Sequence, residues 1–113
     1  MSKLVINGPA RIKGELNVRG AKNAALPIII SCAVARKPVI LENVPTELKD
    51  IAAAVEALKF IGCNISVYDG RIEIKPAKIS ITSIPSEICS RFRSSLLFLG
   101  LLTGMTGHCK ITV

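Results

Sequence analysis

The stretch GAKNAALPIIISCAVA, residues 20–35, decides the fold, because its composition differs sharply from the residues around it. Alanine, leucine and isoleucine fill most positions after Asn23, which is typical of a helix buried on all sides. Pro27 is compatible with a helix only in its first turn or so, and the helix is therefore predicted to begin close to Asn23 or Ala24. We expect an interior helix that starts at a polar tetrapeptide led by Gly20.

The residues before this helix predict two strands, 3–7 and 11–18, separated by the turn signal Gly8-Pro9. A third strand is predicted at 38–41. Pro45-Thr46 then opens a second helix that Gly62 ends. Its predicted buried face consists of Leu48, Ile51, Val55 and Leu58.

The second half of the chain predicts a hairpin, with strands 64–68 and 71–75 joined by Asp69-Gly70. Residues 78–82 are a possible extension of that sheet. One continuous helix is predicted from Pro85-Ser86 to the glycines at 104–107, followed by a strand at 110–113. The apolar positions that favour this helix are Ile88, Phe92, Leu96 and Leu99.

This order of elements predicts an α/β protein with mixed sheets, because hairpins are incompatible with a wholly parallel sheet. Two of the three helices are too apolar for an exposed sheet face, so we expect helices at the centre and strands towards solvent. The final strand has no turn residue after it. We therefore expect these residues to be part of a longer domain.

Composition limits the choice of partner. Lysine and arginine number 15 against 8 acidic residues, and the formal net charge of +7 favours anionic ligands. The basic residues are scattered and aromatic residues are few, which argues against nucleic acid. The apolar runs are too short to span a bilayer and no signal peptide is recognisable, so the protein is placed in the cytosol without a membrane partner. The widely separated cysteines predict reduced core thiols rather than a metal site.

Residues 20–23, between a strand and a helix start, predict an anion-binding site. Gly20 allows close approach of the backbone, Lys22 supplies a full charge, and Asn23 offers both a donor and an acceptor. A simpler interpretation remains open, in which Asn23 caps the helix and Lys22 is only solvated.

Arg93 is the second candidate for binding an anion, because it directly precedes an apolar stretch in which an unpaired arginine is costly. The alternative is an exposed or snorkelling arginine. Arg91 is less attractive, since it points elsewhere on the predicted helix. His108 and Cys109 are adjacent, but neighbours in a strand face opposite sides, so both are interpreted as structural.

Several segments together resemble the UDP-N-acetylglucosamine 1-carboxyvinyltransferase family, which are enolpyruvyl transferases of peptidoglycan synthesis. They are GAKNAALP at 20–27, ENVP at 42–45, LKD at 48–50 and FRSS at 92–95. The resemblance implies part of an inside-out α/β barrel, with helices buried and sheets outside. By similarity, residues 1–20 would complete the carboxy-terminal domain of a longer protein, and residues 21–113 would begin the other domain.

The resemblance also implies a reaction without a cofactor or metal, in which the enolpyruvyl group of phosphoenolpyruvate moves to the 3-hydroxyl of UDP-N-acetylglucosamine. Lys22 would contact phosphoenolpyruvate, Asn23 would orient the reacting groups, and Arg93 would face the UDP-sugar. The family's proton-donating cysteine would follow Val113, and Cys109 is not that residue. We therefore expect this chain alone to be inactive.

Two alternatives stay open at this point. The sister enzyme that acts on shikimate 3-phosphate shares the fold, but it usually opens with Lys-Ser where this chain has Lys22-Asn23. The second alternative is a non-catalytic anion-binding or assembly module of the same fold.

The resemblance also implies a protein partner. This partner would be the remainder of the enzyme, or a copy of the chain itself.

Overall fold

The computed structural model describes residues 2–75, 78–79, 81–91 and 93–112, except for the side chains of Arg93 and Ser94. The helices are α1 (Lys22–Ser31), α2 (Lys49–Phe60), α3 (Ser86–Cys89) and α4 (Leu97–Thr106). Short 3-10 segments, Cys32–Val34 and Arg93–Leu96, follow α1 and precede α4. The strands are β1 (Val39–Glu42), β2 (Asn64–Tyr68), β3 (Arg71–Lys75), β4 (Ser83–Ile84) and β5 (Lys110–Ile111). No helix in these described ranges is long and apolar enough to cross a membrane.

The strands form two small sheets. In the first, β3 lies between β1 and β2 and pairs antiparallel with both, so that Ile72 faces Leu41 on one side and Val67 on the other. The predicted hairpin with its two-residue turn is thereby confirmed. In the second, β4 pairs parallel with β5. The α/β class is confirmed, and the strands of the described residues form one antiparallel sheet and one parallel pair.

The core lies where α1 packs against α2 and α4. Ile29, Leu58, Phe98 and Leu102 are fully buried there. Ala54 on α2 is also fully buried, and its small side chain allows neighbouring elements to approach closely. Burial of such apolar surface is the main favourable contribution to folding.

The helix predicted from residues 20–35 is present, but the prediction that it is buried on all sides is wrong. Leu26, Ile29 and Ile30 are buried, whereas Ile28 is 50% exposed. Pro27 lies inside the helix and on its exposed side. An apolar composition alone does not show how many faces of a helix have neighbours.

The single helix predicted from Pro85 onwards is also wrong, since α3 and α4 are separate. The backbone N–H of Ser90 still bonds to Ser86 O four residues earlier, but that of Arg91 bonds to Ile88 O only three residues earlier. This tightening marks the end of α-helical geometry. Phe92, one of the predicted buried positions, lies outside the described residues. Gly107, with φ of 83°, ends α4 in the left-handed conformation.

The strands predicted at 3–7 and 11–18 are not formed. Residues 2–20 contain no strand, and Ile12 is 96% exposed. The other large apolar side chains of these two segments are exposed as well, namely Leu4, Val5, Ile6, Leu16 and Val18. A strand requires a neighbour for its backbone hydrogen bonds, and none pairs with this segment in the described part of the chain. Residues 78, 79, 81 and 82 are likewise outside any strand, and Ser80 is not described.

All four cysteines are free thiols, as predicted. Cys32, Cys63 and Cys89 are buried, and Cys109 is partly buried. Burial raises the pKa of each thiol above its ordinary value of 9.0, and proximity to Cys109 raises that of Cys89 further. We therefore expect these thiols to react slowly with Ellman's reagent until the protein unfolds.

The raised thiol pKa values predict a loss of stability in alkaline solution. A group whose pKa is higher in the folded state stabilises that state fully below the unfolded pKa, and this contribution disappears as the pH rises through the folded pKa. The free energy of unfolding in urea should therefore fall above about pH 9. Cys63→Ala should make this fall shallower than in the wild type. Parallel pH profiles of the two proteins would contradict the prediction.

Candidate anion-binding site

The segment before α1 is joined to the loop after β1 by two hydrogen bonds. The backbone N–H of Gly20 donates to Asn43 O at 3.1 Å, and Asn43 Nδ2 donates to Val18 O at 3.2 Å. Asn43 has a φ of 56°, a left-handed conformation that asparagine tolerates better than most residues. This junction determines where the chain enters α1.

Gly20 is required at the junction because there is no room for a side chain. A Cβ atom at this position would lie 2.2 Å from Asn43 O and 3.4 Å from Asn43 C. The Cβ would meet backbone atoms, which cannot rotate away as the end of a flexible side chain can. The close approach predicted for Gly20 is therefore made to another part of the protein.

The junction is extended by contacts with the hairpin turn. The backbone N–H of Val44 donates to Gly70 O at 3.0 Å, and the N–H of Gly70 donates to Thr46 Oγ1 at 2.9 Å. Arg19 Nη1 lies 3.1 Å from Glu47 Oε2 and 4.0 Å from an Asp69 carboxylate oxygen. The residues preceding α1 are thus held by both the Asn43 loop and the hairpin.

Lys22 is the first residue of α1, and its ammonium group is paired. Lys22 Nζ lies 3.1 Å from Asp50 Oδ2, and the two side chains are 45% and 27% exposed. Asp50 belongs to the first turn of α2, so the ion pair connects the beginnings of two helices. Sequence reasoning missed this partner, which lies in the segment LKD at 48–50. Lys22 is therefore partly solvated and also positioned by a carboxylate.

Asn23 does not cap α1, so that alternative interpretation is wrong. Ala21 occupies the cap position with φ of −81° and ψ of 139°, and no side chain caps the helix. Asn23 is exposed in the first turn, beside Lys22. The N–H groups of a helix's first turn lack intrahelical acceptors, and the helix dipole is positive at this end. The backbone, the ammonium group and the Asn23 amide together suit an anionic ligand.

A cavity of about 140 Å³ lies between α1 and the end of β1. Its walls include Ala25, Ile28, Leu41 and Val44, but neither Lys22 nor Asn23. Because these walls are largely apolar, the cavity lacks the charges that would bind phosphate or carboxylate. The anion-binding candidate is instead the open surface at the start of α1.

Arg93 begins the 3-10 segment before α4, but its side chain lies outside what the structure describes. Its predicted contact with the UDP-sugar therefore stays a prediction. Arg91 pairs with Glu56 on α2, which ties the chain after α3 to that helix. The less attractive of the two arginines thus has a defined structural contact.

His108 and Cys109 show no catalytic arrangement. Cys109 Sγ lies 3.8 Å from Phe98 O, and His108 is exposed with its backbone bonded to Thr106 Oγ1. The contact of Cys109 with Phe98 agrees with the structural role predicted for Cys109, and the role predicted for His108 stays a prediction. In the described ranges no three His, Cys, Asp or Glu side chains are grouped so that they could hold a metal ion.

Comparison with protein families identifies the class. Residues 6–113 match the EPSP synthase family, described as 3-phosphoshikimate 1-carboxyvinyltransferase. Because the match covers nearly all of the sequence, the chain belongs to this family.

Individual relatives carry a more particular name. The chain is 37% identical over its whole length to UDP-N-acetylglucosamine 1-carboxyvinyltransferase of Hydrogenovibrio crunogenus, and 39% identical to that of Lawsonia intracellularis. That of Kosmotoga olearia is 37% identical over 98% of the chain. The resemblance seen in GAKNAALP and the other segments is thereby confirmed. The chain spans only 26–27% of the length of these relatives.

Proposed function

We propose that this chain is the part of a UDP-N-acetylglucosamine enolpyruvyl transferase that supplies Lys22, Asn23 and Arg93 to the substrate site. The observation that carries the proposal is the placement of Lys22 and Asn23 in the first turn of α1, within the family segment GAKNAALP. The names of the relatives support UDP-N-acetylglucosamine rather than shikimate 3-phosphate as the acceptor. The reaction would be the first committed step of peptidoglycan synthesis, in the cytoplasm and without a cofactor.

The geometry suggests what each residue contributes. Lys22 and the first-turn N–H groups would bind phosphoenolpyruvate and offset negative charge that develops in the transition state. Asn23, exposed beside Lys22, would orient the acceptor hydroxyl against the enolpyruvyl carbon. Arg93 would bind the diphosphate of the sugar nucleotide, because a guanidinium matches phosphate oxygens in pairs.

The inside-out architecture belongs to the same proposal. Its support is that α1 packs against α2 and α4 in one core, to which the antiparallel sheet contributes Ile65, Ile72 and Ile74. Residues 1–20 would complete the carboxy-terminal domain of the whole enzyme, and residues 21–113 would begin the other domain. The exposed apolar side chains at residues 4–18 are available for such pairing.

We propose further that this chain does not turn over substrate by itself. The family's proton donor would follow Val113, and Cys109 is a poor substitute. Its thiol contacts Phe98 O, and burial raises its pKa, so little thiolate forms near neutral pH. A non-catalytic anion-binding module remains the second candidate function, favoured by the charged site present in this chain.

The proposal is tested by Lys22→Ala in the full-length transferase to which the chain is assigned. We expect phosphate release from phosphoenolpyruvate and UDP-N-acetylglucosamine to fall by about 10²–10³-fold, as when one charge-stabilising group is removed. Lys49→Ala is the matched control, because it removes the same charge at the start of α2 and should change the rate less than about threefold.

Three results would overturn this function. An unchanged rate for Lys22→Ala would remove the role of Lys22. Faster transfer to shikimate 3-phosphate than to UDP-N-acetylglucosamine would assign the chain to the sister activity. Binding of phosphoenolpyruvate by the full-length protein without release of phosphate would instead favour the non-catalytic module.

A further inference from the structure

The Asp50 carboxylate faces Lys22, so an incoming anion has to compete with it for the ammonium group. Lys22 Nζ and Asp50 Oδ2 are 3.1 Å apart, and both residues lie in the first turn of their helices. A carboxylate is favourable near a helix N-terminus, and Asp50 lies in the first turn of α2. The start of α1 therefore already has a negative group beside its charged side chain.

Arg19, three residues before Lys22, pairs with other carboxylates. Its Nη1 lies 3.1 Å from Glu47 Oε2 and 4.0 Å from Asp69 Oδ1. Among the ion pairs of the described residues, Asp50 has Lys22 as its partner. This one-to-one pairing makes Asp50 the carboxylate whose removal changes the state of Lys22 most directly.

Stability alone gives little reason for this pair. Ion pairs between partly exposed side chains contribute little to the free energy of unfolding, because water screens the attraction and ordering two side chains costs entropy. The pair does, however, orient a flexible lysine towards the first turn of α1. We therefore expect loss of the ion pair to change the affinity for a ligand more than it changes the free energy of unfolding.

We propose that Asp50 is a positioning residue that holds Lys22 in the empty site and sets the affinity of that site for a small dianion. This inference rests on the proposed function for the identity of the anion, but its electrostatics apply equally to inorganic phosphate. An anion bound by Lys22 lies close to the Asp50 carboxylate, and the two negative charges repel each other. Lys22 has three N–H donors, so it passes from the carboxylate to the anion without losing its charge.

The test is a titration of the ¹⁵N-labelled 113-residue chain with inorganic phosphate, followed through the amide signals of Lys22 and Asn23. Asp50→Asn should bind phosphate about tenfold more tightly than the wild type, since it removes a neighbouring negative charge. Glu47→Gln removes the same charge from the carboxylate that pairs with Arg19, and it should change the affinity by less than about twofold.

A double variant identifies the route of the effect. If Asp50 acts through Lys22, Asp50→Asn should give no gain in a Lys22→Gln background, because the two changes are coupled. Thermal unfolding of Asp50→Asn should stay close to that of the wild type. An equal gain in both backgrounds, an unchanged affinity or weaker binding would each overturn the role of Asp50, as would absence of phosphate binding in every variant.

This outcome is separable from that of the proposed function. Phosphoenolpyruvate is titrated in parallel at the same ionic strength. Tighter binding of phosphate, but not of phosphoenolpyruvate, to Asp50→Asn would support the electrostatic role while contradicting the assigned substrate. A loss of turnover in the full-length protein bears on the proposed function only. It does not measure whether Asp50 acts through Lys22.

Discussion

Replacing Gly20 with alanine is expected to detach the segment before α1 from the Asn43 loop. The added Cβ would lie 2.2 Å from Asn43 O, so the 3.1 Å hydrogen bond from the Gly20 N–H cannot keep its geometry. Overpacking of this kind costs about 1–3 kcal/mol of unfolding free energy. Because the same segment leads into Lys22, we also expect weaker phosphate binding. Urea unfolding and amide titration measure the two effects.

Gly104→Ala is the matched control for Gly20→Ala. A Cβ at Gly104 would meet nothing within 4 Å, and the residue lies inside α4. Alanine is favoured over glycine in a helix by about 1 kcal/mol, so this variant should be as stable as the wild type or more so. If both variants kept wild-type stability and phosphate affinity, the tight junction at Gly20 would be wrong.

Replacing Phe98 with alanine is expected to cause the largest loss of stability. Phe98 is fully buried where α4 joins the core shared with α1. Truncation removes a large apolar side chain and leaves a cavity, which costs about 3–5 kcal/mol. Against the small total stability of a domain this size, such a loss should leave much of the protein unfolded at room temperature. Far-ultraviolet circular dichroism during urea unfolding measures it.

Leu99→Ala tests whether burial is the cause. Leu99 is the next residue on the same helix but is 39% exposed, so its truncation removes less buried surface. We expect a loss of about 1 kcal/mol or less. Similar losses for both variants would show that the packing of α4 differs from that described.

The elements that the sequence predicted well are those defined by short-range chemistry. The hairpin follows from alternating residues around Asp69-Gly70, and α2 ends near Gly62, whose φ is 116°. The start of α1 was predicted to within two residues by the position of Pro27. These features depend on residues that are close together in the sequence, so the sequence alone is enough to predict them.

The candidate site was predicted only in part. Lys22 and Asn23 were recognised, whereas Asp50, Asn43 and Arg19 were not. Each of these three residues contacts a residue more than twenty positions away, so no local sequence pattern predicts the contact. The predicted strands at 3–7 and 11–18 failed for a related reason, because alternation shows that a segment can pair but does not supply its partner.

The sequence by itself determined the family, the α/β class and the location of a lysine at the N-terminus of an apolar helix, since these follow from composition, spacing and motif. Only the tertiary structure decided which carboxylate holds that lysine, where the glycine before it touches the backbone, and which faces of the helices are covered. The physical reason is that ion pairs and close packing act over a few ångströms in space. They become defined only when folding brings distant residues together.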